Sequence, residues 1–204
     1  MRGAQYVLLS SGVLAFGDGF KEQNVNKKVR IWQKNITKTA FFLILAGSQT
    51  AEIEGISAAG LTPISRRYTA VADAELLLKG PLLTKRWPLP PLSAGVSPAL
   101  ISYVASRFLE IKPIIMTAGL LHPPPFNHVS LESPEIGPAR CLSSGKAMER
   151  TRVKHLFEGG FKRGKKLKTS LLITECVPGG TSTAFAVLSG LGINVYGLIS
   201  GSYK

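Results

Sequence analysis

The sharpest chemical signal in this sequence is the run Ile173-Thr174-Glu175-Cys176-Val177-Pro178-Gly179-Gly180-Thr181-Ser182-Thr183-Ala184. A short apolar strand passes through paired glycines into hydroxyl residues that open a helix. That order suits an anion. Glycines let main-chain N–H groups come close, a helix N-terminus offers free donors and the positive end of a dipole, and hydroxyls add donors. The loop is therefore one that could hold a phosphate. Ser200-Gly201-Ser202, after the next apolar run, is a second and weaker candidate. The run lacks the Gly-Lys-[Ser/Thr] ending of a Walker A loop, and it is not Gly-x-Gly-x-x-Gly. A plain tight turn with Thr181 as a helix cap is the alternative. Glu175, near the carboxyl end of the strand, either accepts from a ribose hydroxyl, stands as a charge near a reacting centre, or faces solvent.

Other chemistry is sparse. His122, His128 and His155 lie far apart, without a metal-ligand partner at useful spacing, so no metal site is expected. Cys141 and Cys176 form no C-x-x-C pattern, and Cys176 reads as an inert core thiol.

The 204 residues carry 25 Lys+Arg against 12 Asp+Glu, a formal charge of +13, with 45% hydrophobic residues. The apolar share is that of a packed domain rather than a disordered chain, and two cysteines exclude a disulfide scaffold. The apolar run Phe41–Ala46 is far shorter than the roughly 20 residues that cross a bilayer. Gly17, Asp18 and Gly19 interrupt anything like a signal peptide. A cytoplasmic protein without a membrane partner is expected. The positive charge sits in two runs: residues 1–40 carry a net +5 and residues 146–168 a net +7. The second run reads as a helix with Val153, Leu156, Phe157, Phe161 and Leu167 on one face and mostly basic residues on the other. A solvated outer face of a core helix is the first reading of that pattern. A phosphate-backbone-binding surface ranks below it, since no aromatic residues interleave the basic face.

The elements that must position the glycine loop follow from period and punctuation. Tyr6–Leu14 reads as a strand, Phe41–Ala46 as a buried strand ending at Gly47, and Thr69–Lys79 as a helix stopped by Gly80-Pro81. Ser97-Pro98 starts a helix with Leu100, Ile101, Val104, Phe108 and Leu109 as its apolar stripe. Ile114–Met116 is a buried strand, residues 121–140 a proline-rich loop, and Leu171–Cys176 a strand. A helix from Thr181 to about Leu191 and a strand Ile193–Ile199 complete the chain. Strands alternating with helices imply an α/β fold, a Rossmann-like, mostly parallel sheet with helices on both faces, and ligands bound beyond the carboxyl ends of its strands.

Several segments together carry a family resemblance. They are Gly55-Ile56-Ser57-Ala58-Ala59-Gly60-Leu61-Thr62-Pro63, Arg67–Glu75, Pro88–Pro98, Pro138–Ala147 and Glu175–Ala184. In this order they resemble the nicotinate-nucleotide:dimethylbenzimidazole phosphoribosyltransferase-like proteins of cyanobacteria and archaea, over roughly residues 41–202. The resemblance implies transfer of phosphoribose from nicotinate mononucleotide to a benzimidazole nitrogen, as in cobamide lower-ligand synthesis, with no cofactor. It implies that Gly179, Gly180, Thr181, Ser182 and Thr183 hold the 5′-phosphate and that Ser200, Gly201 and Ser202 reach it from a second loop. Glu175 falls where that family has an acidic residue beside the nucleotide. It divides the chain into a poorly matched segment 1–40 and an α/β domain 41–204 lacking the family's C-terminal part, where that family's general-base carboxylate lies. Two outcomes stay open, an active transferase and a catalytically silent nucleotide-binding relative. An incomplete sheet would leave an exposed edge that invites a homo-oligomer.

Overall fold

The computed structural model describes residues 34–57, 59–81, 86–87 and 97–198, together with the backbone of two N-terminal strands. Those strands, β1 (Gln5–Leu9) and β2 (Gly12–Phe16), pair antiparallel as a hairpin. The single strand expected over Tyr6–Leu14 is thus two, folded back on each other. The main sheet comprises β3 (Ala40–Ala46), β4 (Pro113–Ala118), β5 (Val129–Ser130) and β6 (Leu171–Cys176), all parallel, in the order β5-β4-β3-β6. Among the described residues four longer helices accompany it: α1 (Pro63–Lys79), α2 (Pro98–Phe108), α3 (Arg150–Lys166) and α4 (Gly180–Gly190).

This is the α/β class expected from the alternation. The chain runs from β3 through α1 and α2 to β4 on one side, then through α3 back across to β6 on the other side of β3. Right-handed crossovers in opposite directions put α1 and α3 on opposite faces. The strand order reverses at β3 and β6, so the crevice at their carboxyl ends is the topological switch point where such sheets take ligands.

The core lies between β3 and α1. Phe41, Leu43 and Leu45 alternate along β3 and meet Ala70, Val71, Ala74 and Leu77 of α1, with Ile115 of β4 beside them. Small residues on α1 let its axis approach the sheet. The helix begins six residues before the expected Thr69. Thr62 accepts from the Ser65 N–H (3.1 Å), Ser65 Oγ accepts from the Thr62 N–H (2.8 Å), and Pro63 follows at the first helical position. This capping box satisfies two end amides, and its signature was present in the sequence as Thr62-Pro63-Ile64-Ser65.

Three expectations are overturned. Most of the apolar stripe foreseen for α2 points outward, with Ile101 74% and Phe108 85% exposed; of its members Leu109 packs against the core, together with Tyr103 and near the buried Ser106. On α3 the face turned inward carries Arg152, Leu156, Gly159 and Arg163, while Val153, Phe157 and Phe161 stand exposed. Arg152 sets that rotation, as its ion pair described below outweighs the apolar stripe. Residues 193–198 form turns rather than a strand: Leu198 N–H bonds Val195 O (3.0 Å) and Tyr196 N–H bonds Asn194 Oδ1 (3.1 Å). The run therefore brings no neighbour to β6, which among the described residues is an edge strand with Ile173 60% exposed, not a buried one.

Candidate functional site

The strand β6 ends at Cys176, and Val177-Pro178-Gly179 turns the chain into α4. Gly180 N–H closes the turn on Val177 O (2.8 Å). Gly179 is the N-cap, with φ +76°, a left-handed conformation that disfavours any side chain. It also lies against the turn Gln49–Glu52, where an added Cβ would come within 3.3 Å of the Ala51 backbone. The cap is glycine and no side chain caps α4, so Thr181 is not the helix cap.

The expected anion ligands divide. Ser182 N–H is committed to Gly179 O (3.1 Å), and Gly180 N–H to Val177 O. Among the described residues, the amides of Gly179 and Thr181 have no acceptor. These two residues also border a cavity, whereas Gly180, Ser182 and Thr183 do not. Ser200, Gly201 and Ser202 lie outside the described residues.

The cavity, about 320 Å³, opens between the sheet, α1 and α2 at the β6 edge. Phe41, Leu43 and Leu77 give it apolar walls, and Ser57, Thr69, Ser102 and Thr174 add hydroxyls. In parallel register Thr174 and Cys176 lie level with Leu43 and Leu45, on the α1 face that holds this cavity. Ile173 and Glu175 lie level with Phe42 and Ile44, on the opposite face. Glu175 therefore borders the cavity only at the strand end, and its carboxylate lies toward the first turn of α4, where an added Cβ on Gly180 would be 3.7 Å from Oε2. Partial burial raises its proton affinity, and a hydrogen bond from the Val177 backbone lowers it in part.

The residue that sequence reasoning missed is Asp73. It reaches the cavity from α1, where Ser97 Oγ donates to Oδ1 (2.6 Å) and the Cys176 thiol donates to Oδ2 (3.5 Å). Desolvation pushes the Asp73 carboxyl up, and the two hydrogen bonds pull it partly back. Burial, together with the charges of Asp73 and Glu175, pushes the Cys176 thiol far above its ordinary range, so it remains a thiol and an inert one. The sequence signal was an acid at i+4 between Thr69 and Leu77, inside the buried face of a helix.

A second missed residue, Arg66, shapes the cavity rim. It is buried, and its guanidinium donates to Ala51 O, to Gly60 O (3.1 Å) and to Ile53 O (3.1 Å). Thr69 Oγ1 donates to Ala59 O. The carbonyls of Ala51, Ile53 and Gly60 thus gather on one cation and stand in for a carboxylate.

The three histidines do not converge, and among the described residues no cluster of metal-ligating side chains occurs. His122 stacks on Tyr68 at 5.5 Å. No described helix is long and apolar enough to cross a membrane.

The fold is a parallel α/β sheet, and its cavity and glycine turn lie at the switch point where such sheets take ligands. No family model matches the chain. It is 51% identical over 196 residues to a UPF0284 protein of Parasynechococcus marenigrum (strain WH8102), covering 96% of this chain and 50% of that one. It is 53% identical over 190 residues to a UPF0284 protein of Prochlorococcus marinus (strain MIT 9313), covering 93% and 47%. A UPF0284 protein of Gloeothece citriformis is 48% identical over 168 residues, covering 80% and 45%. The chain spans about half the length of the curated relatives it matches. That name states no activity.

Proposed function

We propose that this chain carries the nucleotide-binding part of a phosphoribosyl-transfer centre, taking nicotinate mononucleotide and delivering its phosphoribose to a benzimidazole-type base. The observation that carries the reading is the β6–Gly179–α4 turn beside the cavity. Two unpartnered amides, Gly179 and Thr181, stand at a helix N-terminus on its border. A 5′-phosphate there would meet free donors and the positive end of the helix dipole. The ordered motifs of the phosphoribosyltransferase resemblance support the same assignment.

In this reading the protein does little covalent work. Nicotinate leaves C1′ with the electron pair of the C1′–N bond, the base nitrogen attacks the opposite face, and the ring N–H proton is lost to an acceptor. Holding both reactants in line and clamping the phosphate supplies most of the rate. The test is calorimetric titration with nicotinate mononucleotide of the wild type and Gly180→Asp. The new carboxylate would sit beside Glu175 and the free amides. Affinity falling at least about tenfold is the expected result, on the scale of one charge-assisted hydrogen bond. Equal affinity, or no binding by the wild type, overturns it. Turnover with dimethylbenzimidazole then separates an active transferase from a silent nucleotide binder.

One observation favours a second reading, a nucleic-acid surface on α3. Phe157 and Phe161 stack at 6.5 Å on its outside, and Lys165 Nζ stands 4.7 Å from the Phe161 ring centre. Exposed rings among lysines are what single strands use for stacking. Affinity for a single-stranded oligonucleotide that drops steeply with salt and with Phe157→Ser supports it, and salt-insensitive or absent binding excludes it.

A further inference from the structure

Arg66 lies in the first turn of α1, where the positive end of the helix dipole disfavours a cation, and it is only 4% exposed. Position and burial both cost free energy. What offsets them is a set of three carbonyls spaced for a planar fork: Nε donates to Ala51 O, Nη1 to Gly60 O and Nη2 to Ile53 O. Gly60 makes room for the side chain, since a Cβ there would stand 2.8 Å from Arg66 Cγ. Ala51 is where this clamp meets the glycine turn. Its carbonyl accepts from Arg66, while a Cβ on Gly179 would lie 3.3 Å from both its N and its Cα. From another side Thr50 Oγ1 accepts from the Leu142 N–H (2.9 Å), so the turn Gln49–Glu52 is pinned from two directions. Arg66 itself stands behind that turn, outside the lining of the cavity that Gly179 and Thr181 border. Ala59, in the cavity wall, is held separately by Thr69 Oγ1.

We infer that Arg66 is a positioning residue for the phosphate: by fixing Ala51 it fixes the seat of Gly179, and so the aim of the Gly179 and Thr181 amides, without touching the ligand. The inference rests on the transferase reading and adds to it the residue that presets its anion site. Amides held in place before the ligand arrives bind it without a further ordering cost, whereas a loose seat would have to be ordered at every binding event. A lysine keeps the charge of Arg66 but presents it at one point, and a single ammonium cannot reproduce a fork that spans three carbonyls. Because Thr69 holds Ala59 on its own, loosening Arg66 acts on the phosphate end of the site and leaves the wall beside the rest of the nucleotide in place.

The experiment titrates nicotinate mononucleotide and nicotinate riboside, the same ligand without its phosphate, into the wild type, Arg66→Lys and Gly60→Ala. The second variant pushes a Cβ against Arg66 and leaves its charge in place. Arg107→Gln, at an exposed position of α2, controls for loss of positive charge alone. The wild type is expected to prefer the mononucleotide by about tenfold or more, on the scale of one charge-assisted hydrogen bond. Arg66→Lys and Gly60→Ala should lose most of that preference through the mononucleotide, with the riboside bound as before, and Arg107→Gln should keep it. A general structural defect would weaken both ligands by the same factor, and that result overturns the inference, as does a preference retained in both variants. Hydrogen exchange of the Ala51 and Ile53 amides gives a reading on the wild type alone, which decides the matter should the variants fail to fold. It should slow with the mononucleotide and not with the riboside, because a seat coupled to the anion is steadied by it; unchanged exchange overturns the inference. If the wild type binds the mononucleotide but the variants keep its preference, only the role of Arg66 falls. If the wild type does not bind the mononucleotide, the transferase reading falls and takes the inference with it.

Discussion

Arg152 and Glu132 are joined by a two-pronged ion pair. Arg152 Nε and Nη2 donate to the two carboxylate oxygens at 2.9 and 2.5 Å, with the Glu132 side chain 2% exposed. The same Nη2 also donates to Gly137 O (2.8 Å). The first turn of the basic helix is thereby tied to the loop that follows β5. One of the nine basic residues of the run 146–168 is a structural clamp rather than part of a free surface.

Removing one partner of this pair leaves a buried charge. Arg152→Ala is expected to cost about 3–5 kcal/mol in urea unfolding. The double variant Arg152→Met with Glu132→Leu is expected to recover most of that loss, because no charge then remains buried. A single-variant loss below about 1 kcal/mol would show the pair to be solvated.

Gly179→Ala separates the turn from its ligand. The left-handed φ and the 3.3 Å approach to Ala51 both oppose a Cβ, so a loss of about 1–3 kcal/mol is expected. Nicotinate mononucleotide affinity should fall as well, since the Gly179 amide would be displaced. Gly190→Ala, in open space at the end of α4, is the control and should hold both properties unchanged or improve stability slightly.

The parallel sheet, β3, β4, β6 and the start of α4 were legible because apolar runs, glycines and caps are local signals. What the sequence did not disclose is rotation. On α2 and α3 the apolar stripe was taken for the buried face. A stripe says only that a helix has two faces, and contacts distant in sequence, the core packing of Tyr103 on α2 and the Arg152–Glu132 ion pair on α3, decide which one turns inward. Asp73 was hidden for the same reason. An acid amid alanines and leucines gains meaning only when Ser97, 24 residues away, and Cys176, 103 residues away, are folded onto it. The glycine turn was readable as a loop, yet which amides stay free depended on the bonds made by Gly180 and Ser182.

Rotation of α3 has a measurable consequence. Phe157 is 72% exposed, so Phe157→Ser is expected to shift stability by no more than about 0.5 kcal/mol. Phe41 lies in the β3–α1 core, and Phe41→Ala should cost about 3–5 kcal/mol. Comparable losses at the two positions would mean that Phe157 is covered in solution.

The uncompensated carboxyl at Asp73 also sets a pH dependence of stability. Desolvation raises its folded-state proton affinity, so in the folded protein it loses its proton at higher pH than in the unfolded chain, where an aspartate titrates near about 3.9. Below that value both states are protonated and Asp73 contributes no difference. As pH rises from there through the folded-state value, the unfolded chain ionises first and the native state is progressively disfavoured, with the full penalty present above it. Glu175 shifts in the same direction, by a smaller effect on stability because it is largely exposed. Urea midpoints of the wild type and Asp73→Asn, taken between pH 3.5 and 7 (roughly that window), should therefore diverge, with the variant gaining on the wild type as pH rises. Glu175→Gln should reproduce the trend weakly. A wild type that instead gains on Asp73→Asn toward neutral pH would require a cation beside the carboxylate.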